Sequence, residues 1–212
     1  MQFNDINIAY GDEVLYNNFS IRIEERKINC IMGLSGVGKT TLLNAIKNQL
    51  MNDQIKISYI FQEHRLIKWK SLYKNIEIVL EGKSIEEKKV VVENALKLVG
   101  LWEYREHYPN ELSGGMKQRA NIARAIAVES DVILMDEPFK AIDIKLKNQL
   151  MSQIKESIKS KKQTAIFISH DVEEVIEFGD NVNILKEKPV VIHEKFENVK
   201  EFTKKKIIEY LV

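Results

Sequence analysis

The sequence predicts an α/β fold with a mostly parallel sheet, an antiparallel β subdomain and an inserted α-helical subdomain at about 63–127. Three observations predict it: alternating apolar and polar residues near the start, helical spacing in the middle, and apolar runs between helical stretches near the end. With 212 residues, 44% of them hydrophobic, the chain can bury a substantial core. We therefore expect a single domain over 1–212.

The N-terminal part of the chain predicts strands followed by a helix. Apolar and polar residues alternate over 6–10 and again over 19–23, which is typical of half-buried antiparallel strands. Residues 28–32 form a more continuous apolar run that leads into Gly33, as in a central strand feeding a loop. Because 40–50 then has the spacing of a helix, the local order is strand, glycine-rich loop and helix.

The middle of the chain predicts the helical subdomain. Residues 71–80 and 84–99 both have helical spacing. Ser84 and Glu87 are placed as a capping box at the start of the second segment, and Gly100 is placed to stop it. We therefore expect these helices to be inserted between strands of the sheet.

Strand patterns return in the last third of the chain. They occur at 132–135, 164–169 and 182–185, separated by helical stretches such as 144–158. One face of that helical stretch carries Leu146, Leu150, Ile154 and Ile158. Because strand and helix alternate, we expect these strands to lie parallel.

Composition and charge argue against a polybasic nucleic-acid or membrane binder, a secreted chain and a membrane-spanning chain. Lys and Arg total 32 and Asp and Glu total 31, so the formal net charge of +1 gives no bulk attraction to nucleic acid or acidic membranes. The N-terminus lacks a basic start followed by an apolar core, and no stretch approaches the roughly 18 apolar residues of a membrane span. The single cysteine, Cys30, lies in an apolar run where a buried, inert thiol is expected. We expect a cytoplasmic chain that does not cross a bilayer alone.

Residues 33–41, GLSGVGKTT, match the phosphate-loop pattern of glycines followed by Lys and then Ser or Thr. Glycines let backbone N–H groups converge on phosphate oxygens, Lys39 supplies a positive charge for the β- and γ-phosphates, and the Thr40 hydroxyl suits Mg²⁺. The helix that starts near Gly38 adds the positive end of its dipole. The alternative is a glycine-rich turn that matches by accident, but the strand before it and the helix after it favour nucleotide binding. The residues expected to contact the nucleotide are Gly33, Leu34, Ser35, Gly36, Val37, Gly38, Lys39, Thr40 and Thr41.

Two carboxylates follow the apolar run at 132–135. Since ligands bind at the carboxyl ends of parallel strands, we expect Asp136 and Glu137 at the same sheet edge as the phosphate loop. Asp136 is suited to hold Mg²⁺ through water, and Glu137 to polarise an attacking water as general base. An acidic pair on a surface is commonplace, but after an apolar strand and with a phosphate loop upstream it indicates an NTPase with a P-loop core.

Residues 112–126, LSGGMKQRANIARAI, narrow the class of NTPase. Two glycines and Ser113 at a predicted helix start form a second N–H-rich anion site, whereas an ordinary helix cap would explain Ser113 alone. The string resembles the signature of ATP-binding cassette (ABC) transporter nucleotide-binding domains, Leu-Ser-Gly-Gly-x-x-x-Arg. The matching residues are Leu112, Ser113, Gly114, Gly115 and Arg119. The resemblance implies an ATPase that works as a homodimer, in which each signature closes over ATP held on the other subunit.

The resemblance covers essentially the whole chain and implies further site residues. Tyr10 falls where the family stacks an aromatic ring on adenine, and Gln62 matches the glutamine that senses Mg²⁺ and contacts the membrane subunits. Asp143 resembles the aspartate of the loop that crosses the dimer interface, and His170 resembles the histidine that senses the γ-phosphate. Each of these residue types is more often structural when it occurs alone, and Tyr10 also suits an ordinary sheet position. Their order along the chain favours the functional interpretation.

Two positions beside Asp143 depart from the family pattern. Lys140 stands where the family usually has a small residue, and Ile142 replaces the usual leucine. We expect both to alter the dimer interface without removing Asp143.

A finer resemblance lies in 61–69, FQEHRLIKW. ATPases of importers for nitrate, sulfonate and taurine have Phe-Gln-Glu-Pro-Arg-Leu-x-x-Trp here, and His64 and Lys68 replace the prolines usual in that group. Leu66 and Trp69 have two interpretations: they pack the helical subdomain, or they form part of a groove for a short helix of a permease.

The resemblance implies ATP and Mg²⁺ as cofactors, two transmembrane permease subunits and, indirectly, an extracytoplasmic solute-binding protein. It places the chain peripherally at the cytoplasmic face of the membrane, with no nucleic-acid partner. Because the chain stops soon after the last strand pattern, we expect it to lack the regulatory domain of some importer ATPases. One alternative is a soluble ABC ATPase that acts on nucleic acid or ribosomes, although such relatives usually carry a long coiled-coil insert or two cassettes. Another is a small-molecule kinase, which would leave the signature and His170 unexplained.

Overall fold

A computed structural model describes residues 1–199, so the end of the predicted domain, 200–212, lies outside the described part. The strands are β1 (Gln2–Tyr10), β2 (Glu13–Arg22), β3 (Ile28–Gly33), β4 (Ile57–Ile60), β5 (Val132–Asp136), β6 (Thr164–Ile168), β7 (Asn181–Lys186) and β8 (Val191–Glu197). The helices are α1 (Lys39–Asn52), α2 (Leu72–Glu77), α3 (Ile85–Leu98), α4 (Gly114–Ala127), α5 (Ile144–Ser160) and α6 (Val172–Phe178). None of these helices combines the length and the apolar character that crossing a membrane requires.

Within residues 1–199 the strands form two sheets. β1 pairs with β2 in antiparallel fashion, and the larger sheet has the order β4-β5-β6-β3-β7-β8. The neighbours in the larger sheet are parallel except for β7 with β8. The predicted α/β fold with a mostly parallel sheet and antiparallel strands is therefore confirmed. The sequence does not predict β8, because only Phe196 of that strand is buried and its apolar alternation is weak.

Local capping positions the helices between β4 and β5. The predicted capping box on α3 is present: Glu87 N–H donates to Ser84 Oγ at 3.2 Å, and Ser84 N–H donates to Glu87 Oε2 at 2.7 Å. α2 ends at Glu77, short of the predicted end at Leu80. The reason is that the next bonds are of the i→i−3 type, such as Leu80 N–H to the Glu77 carbonyl, which tighten the last turn. The assignment of 63–127 as a separate subdomain stays a prediction.

The core lies on both sides of the larger sheet. Successive residues of β3 point to opposite faces, so Cys30 and Met32 pack with helices α2 to α6, whereas Ile31 packs with α1 and the β1–β2 pair. The predicted burial of Cys30 is confirmed, and that burial raises the pKa of its thiol well above the usual value. A thiol in that environment is protonated and inert.

The buried face of α5 gives a direct test of this packing. Ile154 is fully buried among core residues, whereas Gln149 on the same helix is exposed. We expect Ile154→Ala to lower the free energy of unfolding by about 2–5 kcal/mol, because it removes buried methyl groups and leaves a cavity. Urea denaturation measures the loss, with Gln149→Ala as the control on the exposed face. Equal midpoints for the two variants would contradict this packing of α5.

Candidate nucleotide-binding and hydrolysis site

The carboxyl ends of β3 and β5 bring the two predicted motifs to one edge of the sheet. β6 lies between these strands and is parallel to both. A cavity of about 350 Å³ lies at this edge. The predicted site residues that line it are Tyr10, Ser35, Gly36, Gly38, Lys39, Thr40, Thr41, Gln62, Asp136 and Glu137. The structure thus brings together residues far apart in the sequence, as expected for a ligand site in an open α/β sheet.

Glycines determine the path of the loop between β3 and α1. Gly38 is the N-cap of α1 and has a φ of 110°, and a Cβ there would lie 3.0 Å from Leu15 Cδ2. A Cβ at Gly33 would lie 2.6 Å from the backbone oxygen of Leu185. Any larger residue would therefore displace the loop from β7 or strain its entry into α1.

Lys39 folds back over this loop. Its Nζ donates to the carbonyl oxygens of Gly33 and Leu34, each at 2.9 Å, and the residue is buried. Burial lowers the pKa of the Lys39 ammonium, while the Glu137 and Asp136 carboxylates oppose that effect. Because an ammonium has three donors, two loop bonds leave one donor for a ligand in the cavity.

Asp136 is buried beside the start of α1. Burial raises the pKa of its carboxyl group, although a hydrogen bond with the Thr40 side chain and the charge of Lys39 act in the opposite direction. A carboxylate and a hydroxyl are hard oxygen donors, and Mg²⁺ commonly takes one or two such protein ligands and completes its shell with phosphate and water. The residues present therefore fit Mg²⁺.

Glu137 lies at the centre of a set of polar contacts. Gln62 Nε2 donates to Glu137 Oε2 at 3.3 Å, and His170 Nδ1 lies 3.0 Å from Glu137 Oε1. The backbone of Glu137 has a φ of 46°, in the left-handed region, and its N–H donates to the Ile168 carbonyl at 3.1 Å. The three predicted catalytic side chains are therefore in contact.

Lys140 also contacts Glu137, which sequence reasoning missed. Its Nζ lies 3.1 Å from Glu137 Oε2. Burial alone would raise the pKa of Glu137, but hydrogen bonds from Lys140 and His170 outweigh burial and hold that pKa below its usual value. The carboxylate is therefore ionised at neutral pH. Residues 137–140 form a turn and not a helix, so the helical i, i+3 rule gives no signal for this pair.

A second ion pair lies on the cavity wall, and no pattern in the sequence predicts it. Lys188 Nζ lies 2.7 Å from Glu13 Oε1, and both residues line the cavity. They come from distant parts of the chain, and neither belongs to a motif. Only the fold brings them together.

The other predicted contact residues lie outside the cavity lining. Leu34 is exposed, and Val37 is buried in the core. Ser113 caps α4, its Oγ accepting from Met116 N–H at 3.3 Å, which confirms the predicted helix start. Asp143 caps α5 in the same way through Lys145 N–H. Ser113, Gly114 and Asp143 are exposed, so they are free to meet a second molecule.

A protein-family model matches the chain from within β2 to Lys140, three residues after Glu137. The model of the ABC transporter family matches residues 16–140, which is more than half of the chain. The chain belongs to the ABC transporter family. The predicted family and the ATPase activity that goes with it are confirmed.

Curated ABC proteins show similarity over most of this chain. An uncharacterized ABC transporter ATP-binding protein of Methanocaldococcus jannaschii is 33% identical over 84% of this chain and 73% of that protein. The aliphatic sulfonates import ATP-binding protein SsuB of Bacillus cereus is 33% identical over 89% of this chain and 80% of SsuB. The Fe(3+) ions import ATP-binding protein FbpC of Fusobacterium nucleatum is 32% identical over 84% of this chain, which spans only 53% of the length of FbpC.

Solved ABC cassettes have the same architecture. The cassette MJ0796, solved as a dimer in a post-hydrolysis state bound to ADP and Pi, is similar with a TM-score of 0.81 and 27% identity. The similarity covers 95% of this chain and all of that cassette. The fold of this chain is therefore that of an ABC cassette, of which MJ0796 is a dimeric example bound to ADP and Pi.

Proposed function

We propose that this chain is the ATP-hydrolysing subunit of an ABC importer for a small solute such as nitrate, a sulfonate or taurine. Two copies would work on two transmembrane permease subunits at the cytoplasmic face of the membrane, with an extracytoplasmic solute-binding protein as an indirect partner. The single observation that carries the proposal is the meeting of Lys39, Asp136 and Glu137 in one cavity at the edge of the sheet.

The loop at 33–41 is proposed to hold the ATP phosphates. The free donor of Lys39 and the N-terminus of α1 both favour an anion there. Thr40, Asp136 and Gln62 are the residues that would hold Mg²⁺. When bound, Mg²⁺ would supply positive charge that neutralises the phosphate oxygens. Tyr10, whose side chain is exposed at the cavity, is placed to stack on the adenine ring.

Glu137 is proposed as the general base. Its ionised carboxylate can accept a proton from a water that attacks the γ-phosphate. Gln62 and Lys140 contact one oxygen of this carboxylate and His170 contacts the other, so they orient it and leave a lone pair of Oε1 for water. His170 is exposed, and the family resemblance assigns it to sensing the γ-phosphate.

The Ser113 end of α4 is proposed to bind ATP that is held by a second copy. The exposed Ser113 and Gly114 present a helix N-terminus, and Asp143 lies on a neighbouring loop that joins the same interface. The dimer of the similar cassette MJ0796 supports this arrangement. We also propose that 63–127 acts as a helical subdomain that carries this signature end.

The segment 62–69 is proposed to receive the permease. Trp69 is 78% exposed, whereas Leu66 packs against the core, so the packing interpretation holds for Leu66 alone. Two hydrogen bonds hold the backbone of this segment in place. Asn75 Nδ2 donates to the Ile67 carbonyl at 3.1 Å, and Arg124 donates to the Arg65 carbonyl at 2.7 Å. A pre-formed surface with an exposed aromatic ring is suited to bind a short helix.

The solute class is supported by likeness alone. The segment 61–69 resembles ATPases of nitrate, sulfonate and taurine importers, and the similar SsuB protein is named for aliphatic sulfonates. Because this subunit lies on the membrane side opposite the solute-binding protein, its own residues do not select the solute.

Co-purification tests both the transport role and the docking surface. The tagged chain is expressed in its native cells, and the membranes are solubilised with detergent. We expect the permease to co-purify with the unaltered chain but not with Trp69→Ala or Arg65→Glu, because these changes remove the aromatic anchor or reverse a charge. ATP binding by the isolated variants should persist, since neither residue lines the cavity.

Matched controls separate docking from general surface effects. Tyr104→Ala removes another exposed aromatic ring, and Arg22→Glu reverses another exposed charge, both outside 62–69. These controls should retain the permease. Full assembly by both docking variants would rule out this surface, and co-purification of ribosomes or nucleic acid instead of the permease would overturn the transport role.

A further inference from the structure

Helix α4 carries two buried amide side chains on one face. Gln118 and Asn121 are three positions apart in the sequence. Gln118 is 2% exposed and Asn121 is 0% exposed. Residues at this spacing are neighbours on a helix surface. Buried amides are costly unless they are hydrogen-bonded, so the partners that they choose are informative.

Each amide bonds to the backbone next to one of the two side chains, Gln62 and Glu137, that contact each other in the site. Asn121 Nδ2 donates to the carbonyl of Phe61 at 2.7 Å, and Phe61 directly precedes Gln62. Gln118 Nε2 donates to the carbonyl of Pro138 at 2.7 Å, and Pro138 directly follows Glu137. The two bonds therefore hold the two sides of the Gln62–Glu137 contact.

Pairing between β4 and β5 does not extend to that contact, although the Glu137 N–H also donates to the Ile168 carbonyl of β6 at 3.1 Å. The ladder between β4 and β5 ends at the pair Ile60 and Met135, before either Gln62 or Glu137 is reached. Beyond that pair, the Gln118 and Asn121 side chains of α4 bond to backbone carbonyls that follow β5 and β4, respectively. Arg124 supports the Asn121 side, because it donates to Asn121 Oδ1 at 3.3 Å and to the carbonyl of His64 at 3.1 Å.

The first turn of α4 is also fitted closely to the loop that follows Glu137. A Cβ at Gly115 would lie 2.9 Å from the backbone oxygen of Ala141. α4 and this loop are thus in contact at two successive turns, through Gly115 and through Gln118. A shift of the helix would move the loop with it.

We infer that Gln118 and Asn121 are positioning residues that set the separation of Gln62, proposed to hold Mg²⁺, from Glu137, proposed as the general base. The inference rests on the proposed function, because it gives a role to the contact between Gln62 and Glu137. Ser113 is the N-cap of α4, so the same helix also carries the end proposed to contact the partner's ATP.

The Gln118→Met variant tests the inference. Methionine keeps the length and volume of the side chain but has no donor, so the Pro138 carbonyl loses its partner. We expect kcat for ATP hydrolysis to fall about tenfold to a hundredfold, since small displacements of catalytic groups have effects of this size. The KM for ATP and the ATP-driven dimer, measured by light scattering, should stay unchanged because the cavity and the Ser113 end are intact.

Lys161→Met is the matched control. Lys161 Nζ donates to the Ile126 carbonyl in the last turn of α4 at 2.8 Å, so this variant also leaves a carbonyl of the helix region without its donor, but far along α4 from Glu137. A general loosening of α4 would lower kcat in both variants alike, and that result would overturn the inference. A selective loss of kcat in Gln118→Met supports it.

Asn121→Leu is the second test variant, and comparison with Glu137→Gln separates the inference from the proposed function. If Gln118→Met is not recovered in folded form, Asn121→Leu removes the bond on the Phe61 side and should give the same selective loss of kcat. Normal kcat in either folded variant, together with an inactive Glu137→Gln, overturns the inference while leaving the proposed function intact. High turnover in Glu137→Gln would instead remove the proposed base.

Discussion

Glu137→Gln is expected to bind ATP but to hydrolyse it about 10²- to 10⁴-fold more slowly than the unaltered chain, the usual effect of losing a general base. The amide keeps the shape and can still contact Gln62, but it cannot take a proton from water. Its neutral side chain also ends the ion pair with Lys140 at 3.1 Å. Phosphate release under saturating ATP measures turnover, and equilibrium dialysis measures binding.

Lys39→Ala is the control that separates binding from chemistry. The Lys39 ammonium lies over the loop carbonyls and lines the cavity, so its loss should weaken ATP binding itself. The two variants should therefore differ: one binds ATP without hydrolysing it, and the other binds it poorly. Near-normal steady-state hydrolysis by the Glu137→Gln protein would remove Glu137 from the role of base.

The sequence predicts the parts of this site that depend on local order. The phosphate loop, Asp136 and Glu137 each follow an apolar run, and parallel strands deliver such residues to one edge. The family resemblance singles out Gln62 and His170, whereas their contacts with Glu137 are seen only in the structure. Helix caps such as Ser84 with Glu87 are equally local and are confirmed.

Contacts between distant segments could not be predicted in this way. The bond of Gln118 to the Pro138 carbonyl and the pair of Glu13 with Lys188 depend on how elements pack, and no local pattern encodes that packing. Strand β8 is missed because it lies at the edge of the sheet and only Phe196 of it is buried, so its apolar alternation is weak. Lys140 shows a further limit, because a departure from a family pattern reveals a difference without revealing its contact.

A negative charge at Ser113 is expected to abolish the ATP-driven dimer. If each ATP lies between the loop at 33–41 of one copy and the Ser113 end of the other, a carboxylate at that end would face the γ-phosphate and repel it. Ser113→Asp introduces this charge while keeping an oxygen that caps α4, since Asp is as good an N-cap residue as Ser. Ser113→Asn is the matched neutral control, because Asn also caps helices well.

Both changes are made in the Glu137→Gln background, so that ATP stays bound and the dimer accumulates. Light scattering with Mg·ATP should show a dimer for the Asn variant and a monomer for the Asp variant, and both should be monomers without nucleotide. The nucleotide dependence arises because two donor-rich surfaces repel each other until an anion lies between them. Normal dimerisation by the Asp variant would contradict the shared site.

Mixing two defective proteins gives the sharpest test of the shared site. In a heterodimer of Lys39→Ala with Ser113→Asp, one site has both the altered loop and the altered signature, whereas the other site has neither. The mixture should therefore recover part of the ATP-driven pairing that each parent alone lacks, and the recovered species should contain one copy of each. Sedimentation with one parent fluorescently labelled measures this. If each chain closed its own ATP site, both chains in the mixture would remain defective and no pairing would return.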